Sequence, residues 1–92
     1  MTDQIPVIGA DEAQVQITWG GNTGELPDPV RLDMPDANIR DGAQEAIRGG
    51  DIPGLPADPT ADLTDFVIVR NPPHEARPFN LIQVRPKTPF GA

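Results

Sequence analysis

The hydrophobic and polar positions divide the chain into five ordered stretches. Ala13-Gln14-Val15-Gln16-Ile17-Thr18-Trp19 alternates strictly, with Ala13, Val15, Ile17 and Trp19 on one side and polar residues on the other. A period of two is the mark of a half-buried strand. Gly20-Gly21-Asn22-Thr23-Gly24 then reads as a hairpin turn, because glycine and asparagine accept positive φ. Alternation resumes in Pro29-Val30-Arg31-Leu32-Asp33-Met34-Pro35, with Val30, Leu32 and Met34 inward. Its flanking prolines limit it to a short edge strand paired with the first.

The period then changes. Ile39, Ala43, Ala46 and Ile47 stand at i, i+4, i+7 and i+8, which makes one apolar stripe on a helix. Asp36 is the expected N-cap, Arg48 lies in the last turn, and Gly49-Gly50 ends the helix. Gly42 costs roughly 1 kcal/mol relative to alanine, or permits close packing on a sheet. Residues 51–64 contain three prolines and read as an acidic loop whose Ile52, Leu55 and Leu63 plug the edge of the core. Asp65–Arg70 reads as a third strand, apolar on both faces. Residues 71–78 form a long turn, and Phe79–Arg85 forms the last strand.

The order is therefore hairpin, helix, loop and two more strands. A helix between two hairpins must cover one face of a mixed sheet, and the crossover lets a later strand lie parallel to the first. The expected fold is α+β, a four-stranded mixed sheet with one helix packed across it, in the layout of a β-grasp. Residues 1–12 are expected to be a flexible arm, 13–85 the domain, and 86–92 an extended tail.

Composition narrows the chemistry. The chain has 92 residues, no cysteine, one histidine and one lysine, which excludes a disulfide scaffold, a thiol nucleophile and a Cys- or His-built metal site. Twelve prolines and nine glycines, about twice the usual combined share, exclude a long helical bundle. The net charge is −7 and the bases are not clustered, so nucleic acid is not the expected partner. Residues 1–65 carry 13 acids against three arginines, whereas residues 66–92 carry Arg70, Arg77, Arg85 and Lys87 against Glu75. No apolar run approaches the roughly 18 residues of a membrane span, and no leader is visible, so the cytoplasm is the default compartment.

Candidate motifs mostly dissolve on inspection. The Gly20–Gly24 run lacks the Gly-Lys-Ser/Thr ending of a phosphate loop. Asp51, Asp58 and Asp62 fail the spacing of a calcium loop. His74 beside Glu75 has no nucleophile to serve, so no enzyme is expected. Two features remain. Val67 and Val69 face out of the sheet if Phe66 and Ile68 face the helix, which makes a partner-binding patch. The chain then ends in Lys87-Thr88-Pro89-Phe90-Gly91-Ala92.

With AQVQITW, PVRLDMP, DANIRDGAQEAIRGG followed by DIPGLP, DFVIV and FNLIQV in this order, the chain resembles the ubiquitin-like modifiers over residues 13–91. Its Phe-Gly ending plus one residue is similar to the autophagy-linked branch of that family. The ending has one glycine where most branches have two. The stretch between the last two strands is shorter than in ubiquitin.

The resemblance implies a modifier without cofactors. A protease removes Ala92, and Gly91 is then joined to target proteins through an activating and a conjugating enzyme. It implies that Arg85 and Lys87 pair with acids of those partners, and that Phe90 anchors in an apolar pocket. A glycine without Cβ suits a carboxylate that must enter a narrow channel. The alternatives are a non-conjugated binding or structural module, such as a phage or secretion component, and a sulfur carrier of the same fold. Sulfur carriers usually end in Gly-Gly.

Overall fold

A computed structural model describes residues 8–87. The elements are β1 (Glu12–Trp19), β2 (Asn22–Glu25), β3 (Val30–Arg31), α1 (Asp36–Gly49), β4 (Val67–Asn71) and β5 (Asn80–Arg85). The strands form one mixed sheet in the order β2-β1-β5-β4, with β3 also paired to β1. β1 and β5 are parallel, and the other pairs are antiparallel. The architecture is α+β, with one helix packed on a five-stranded sheet rather than the four strands expected.

The extra strand comes from a split in the hairpin's second arm. Gly20 and Gly21 take φ of 59° and 83°, so two residues suffice to reverse the chain. Pairing therefore resumes at Asn22, opposite Trp19, and Gly24 lies in a strand instead of in the turn. Leu26 still donates its N–H to the Val15 carbonyl at 2.9 Å. Pro27 and Pro29, which have no N–H, interrupt the ladder before Val30–Arg31 pairs with Glu12–Ala13. Leu32 and Met34 pack against the core as expected, but from a turn closed by Met34 N–H to the Arg31 carbonyl.

Gly24 has a strict packing role. A Cβ there would meet Ile52 Cγ2 at 2.6 Å and the Pro53 carbonyl at 2.9 Å, so the loop after the helix can lie directly on β2.

The helix buries Ile39, Ala43 and Ile47 against the sheet. Pro35 occupies the N-cap position without a side-chain cap, and Asp36 falls one residue inside the helix. Asp36 instead accepts from Arg70 at 2.6 Å. The C-terminus closes as expected: Gly50 is left-handed, and Asp51 N–H reaches the Ala46 carbonyl at 2.9 Å. A Cβ on Gly42 would meet nothing within 4 Å, so close packing is not its role.

Ala13, Val15 and Ile17 of β1 interleave with Ile82 and Val84 of β5 and the helix stripe to form the core. Ile52, Leu55 and Leu63 are buried with them, as the plugging role requires. The loop that carries these plugs is tied down by side chains. Arg48 Nε donates to the Ala61 carbonyl at 2.9 Å, and Leu63 N–H donates to Gln44 Oε1 at 2.8 Å. Trp19 Nε1 donates to Asp58 Oδ2 at 3.1 Å while its ring tilts against Phe66.

The segment before β1 is also held within the described residues. Asn80, a buried polar residue, donates Nδ2 to the carbonyls of Ala10 at 3.1 Å and Glu12 at 2.9 Å. Residues 8–12 are thus anchored rather than part of a free arm.

Candidate interaction surface on the outer sheet face

Strand alternation decides which side chains face away from the helix. On β5 the buried positions are Asn80, Ile82 and Val84, so Leu81, Gln83 and Arg85 point outward. The register carries this across the sheet. Val67 is opposite Arg85, Val69 opposite Gln83 and Asn71 opposite Leu81. Gln16 of β1 is level with Gln83 on one side and Glu25 on the other. Among the described residues no element covers this face.

The face is a polar band with an apolar corner. Asn71 Nδ2 donates to Gln83 Oε1 at 3.3 Å, and Gln83 Nε2 donates to Gln16 Oε1 at 3.0 Å. Gln14 Nε2 reaches Glu25 Oε1 at 3.3 Å, and the Thr18 and Thr23 hydroxyls lie 3.4 Å apart. These cross-strand pairs hold the side chains in register and leave them accessible. Val67 and Val69 form the apolar corner on the edge strand, beside Arg85.

Five of the seven basic residues are occupied within the fold. Arg31 pairs with Asp33 at 3.1 Å, and Arg70 joins Asp36 to the Leu32 and Met34 carbonyls. Arg40 and Arg48 donate to carbonyls, and Arg77 donates to Pro72 and Phe79 across the last turn. Arg85 and Lys87 have exposed side chains and no hydrogen bond or ion pair among the described residues. The structure thus groups Val67, Val69 and Arg85 on one face, with Lys87 two residues along the chain. Phe90, Gly91 and Ala92 lie outside the described residues.

The acidic residues do two kinds of work. A hydrogen bond and the charge of Arg31 hold the Asp33 carboxyl below its ordinary range, and the same pairing raises Arg31. Asp58 and Asp62 are lowered chiefly by the Thr60 and Thr64 hydroxyls, at 2.7 and 2.6 Å, and by the same residues' N–H groups. They are turn-forming residues, each bound to its own loop. Among the described residues no group of three or more His, Cys, Asp or Glu could hold a metal ion. His74 is exposed and accepts the Ala76 N–H at 3.2 Å, closing a tight turn in which His74 and Arg77 exchange backbone hydrogen bonds. No described helix is long and apolar enough to cross a membrane.

Sequence reasoning missed Arg70, Asn80 and the amide band. The band had a local signal: Gln14, Gln16 and Gln83 all stand at outward positions of the two central strands. In comparisons with protein-family models, curated proteins and solved structures, nothing matches this chain.

Proposed function

We propose that the chain is a β-grasp protein modifier of the ubiquitin-like kind. In this reading its outer sheet face is read by partner enzymes and its Gly91 carboxylate is joined to targets. The observation that carries the reading is the strand order. A parallel β1–β5 pair at the centre, with β2 and β3 antiparallel to β1, β4 antiparallel to β5 and one helix packed on the sheet, is compatible with a β-grasp and supports that reading. That order makes β5 the strand from which the chain leaves, between exposed Arg85 and Lys87 and beside Val67.

The chemistry asked of the chain is that of a substrate. Hydrolysis of the Gly91–Ala92 bond exposes a glycine carboxylate, which an activating enzyme adenylates with ATP, releasing pyrophosphate, and a cysteine thiolate of that enzyme then displaces AMP to form a thioester. Partner acids meet Arg85 and Lys87 through charge-assisted hydrogen bonds, and Phe90 supplies an apolar anchor.

A second reading, a non-conjugated binding module, is favoured by the amide band alone, since that surface needs no tail. Tryptic mapping of lysate from the source organism separates the two. Trypsin cuts after Lys87, so conjugation leaves a Thr-Pro-Phe-Gly remnant on the acceptor amine. The modifier reading predicts this remnant and its loss in Gly91→Asp. Retention of Ala92 throughout, with no remnant on any protein, leaves the binding module.

A further inference from the structure

The helix meets the split strand at an open groove of about 490 Å³. Val15 and Ile39 form its buried floor, Leu26, Val30 and Met34 its half-buried wall, and Gly42 part of its helical side. We propose that this groove receives an apolar side chain carried on a basic segment of a partner protein.

Gly42 is the first observation. A glycine in a helix interior costs roughly 1 kcal/mol against alanine. Here it gives no close packing in return, because a Cβ would meet open space. The open space beside it belongs to the groove that Ile39 and Met34 also line.

Charge is the second. Residues 26–42, which with Val15 supply the lining, contain Asp28, Asp33, Asp36 and Asp41 against Arg31 and Arg40, and Arg70 reaches the Met34 carbonyl from β4. All three arginines are already engaged, Arg31 by Asp33, Arg40 by the Phe66 carbonyl and Arg70 by Asp36. Asp41 lies on the groove's rim, and exposed Asp28 lies between the two prolines of the neighbouring edge. A ligand with lysine or arginine beside its apolar anchor meets a field of opposite sign. An acidic ligand meets repulsion.

The edge itself is the third. Pro27 and Pro29 bring no N–H to it, so an added strand would find gaps in its ladder. Docking is therefore through side chains. This site lies on the helix side of the sheet, away from the amide band, and does not depend on the Gly91 chemistry.

The test is a titration of the isotopically labelled full chain with two synthetic heptapeptides. Each has a central Leu-Leu pair, flanked in one by lysines and in the other by glutamates. The expected result is chemical-shift change confined to Leu26, Val30, Met34, Ile39 and Gly42 with the lysine peptide. At low salt the glutamate peptide binds at least about tenfold more weakly. Gly42→Leu fills the groove from an exposed helical position and abolishes binding while the fold is retained, and Asp41→Lys weakens it severalfold. Equal binding of the two peptides, shifts on the outer sheet face instead, no binding at millimolar peptide, or unchanged binding by Gly42→Leu overturns the proposal.

Discussion

The two faces of one sheet are built on opposite terms. Inside, β1 and β5 present Ala13, Val15, Ile17, Ile82 and Val84, all fully buried. Outside, the same two strands present Gln14, Gln16, Thr18, Leu81 and Gln83, half-buried and mostly held by side-chain hydrogen bonds, and the exposed Arg85. The inner face gains its stability from apolar area removed from water. The outer face gains little, because its amides trade water for one another at a small net return. One face therefore holds the fold, and the other contributes little to it and is covered by no element among the described residues.

The largest effect belongs to the inner face. Ile82→Ala removes a fully buried side chain from the central strand and is expected to cost about 2–5 kcal/mol in denaturant unfolding. Asn80→Ala comes next. It leaves the Ala10 and Glu12 carbonyls without their donor and costs about 1–3 kcal/mol, with faster amide exchange over residues 8–13.

Acid titration gives a smaller, regional effect. Asp58 and Asp62 have folded-state values below the ordinary 3.8. Their contribution is present above that value and is lost as the pH falls through the lowered folded values. Trp19, the single tryptophan, donates to Asp58 and reports the loss as a fluorescence change at acid pH. Asp58→Asn keeps an oxygen acceptor and is expected to flatten that transition. The smallest effect is on the outer face. Gln83→Ala breaks two links of the amide band and shifts stability by less than about 1 kcal/mol. A loss as large as that of Ile82→Ala would erase the contrast between the faces.

Local patterns carried the sequence reading a long way. The alternation over 13–19, the stripe of Ile39, Ala43 and Ile47, the helix end at Gly50 and the buried plugs Ile52, Leu55 and Leu63 all stand in the structure. So does the parallel return of the last strand beside the first. Errors arose where two local signals competed. Glycines at 20, 21 and 24 read as one turn, but Gly20-Gly21 alone makes it and Gly24 is needed for the Ile52–Leu55 loop to approach. Asp36 has the chemistry of a cap, but Arg70, 34 residues away, draws its carboxylate elsewhere.

The long-range ties had no periodic signature. Asn80 to Ala10, Trp19 to Asp58 and Arg48 to Ala61 join residues that only the finished fold brings together. Of the expected site, Val67, Val69 and Arg85 share the outer face. Phe90, Gly91 and Ala92 fall beyond the described residues.

The separation of stability from recognition is tested most directly by Val67→Glu/Val69→Glu, followed for unfolding and for adduct formation in one preparation. Both valines sit on the face that no element covers among the described residues, and the carboxylate introduced at position 67 would lie opposite Arg85. The account predicts unfolding within about 2 kcal/mol of the wild type, on the scale of strand propensity. It predicts that the Thr-Pro-Phe-Gly remnant falls at least about tenfold, since charged residues at an apolar contact abolish docking. Wild-type remnant levels in the folded double variant would contradict it.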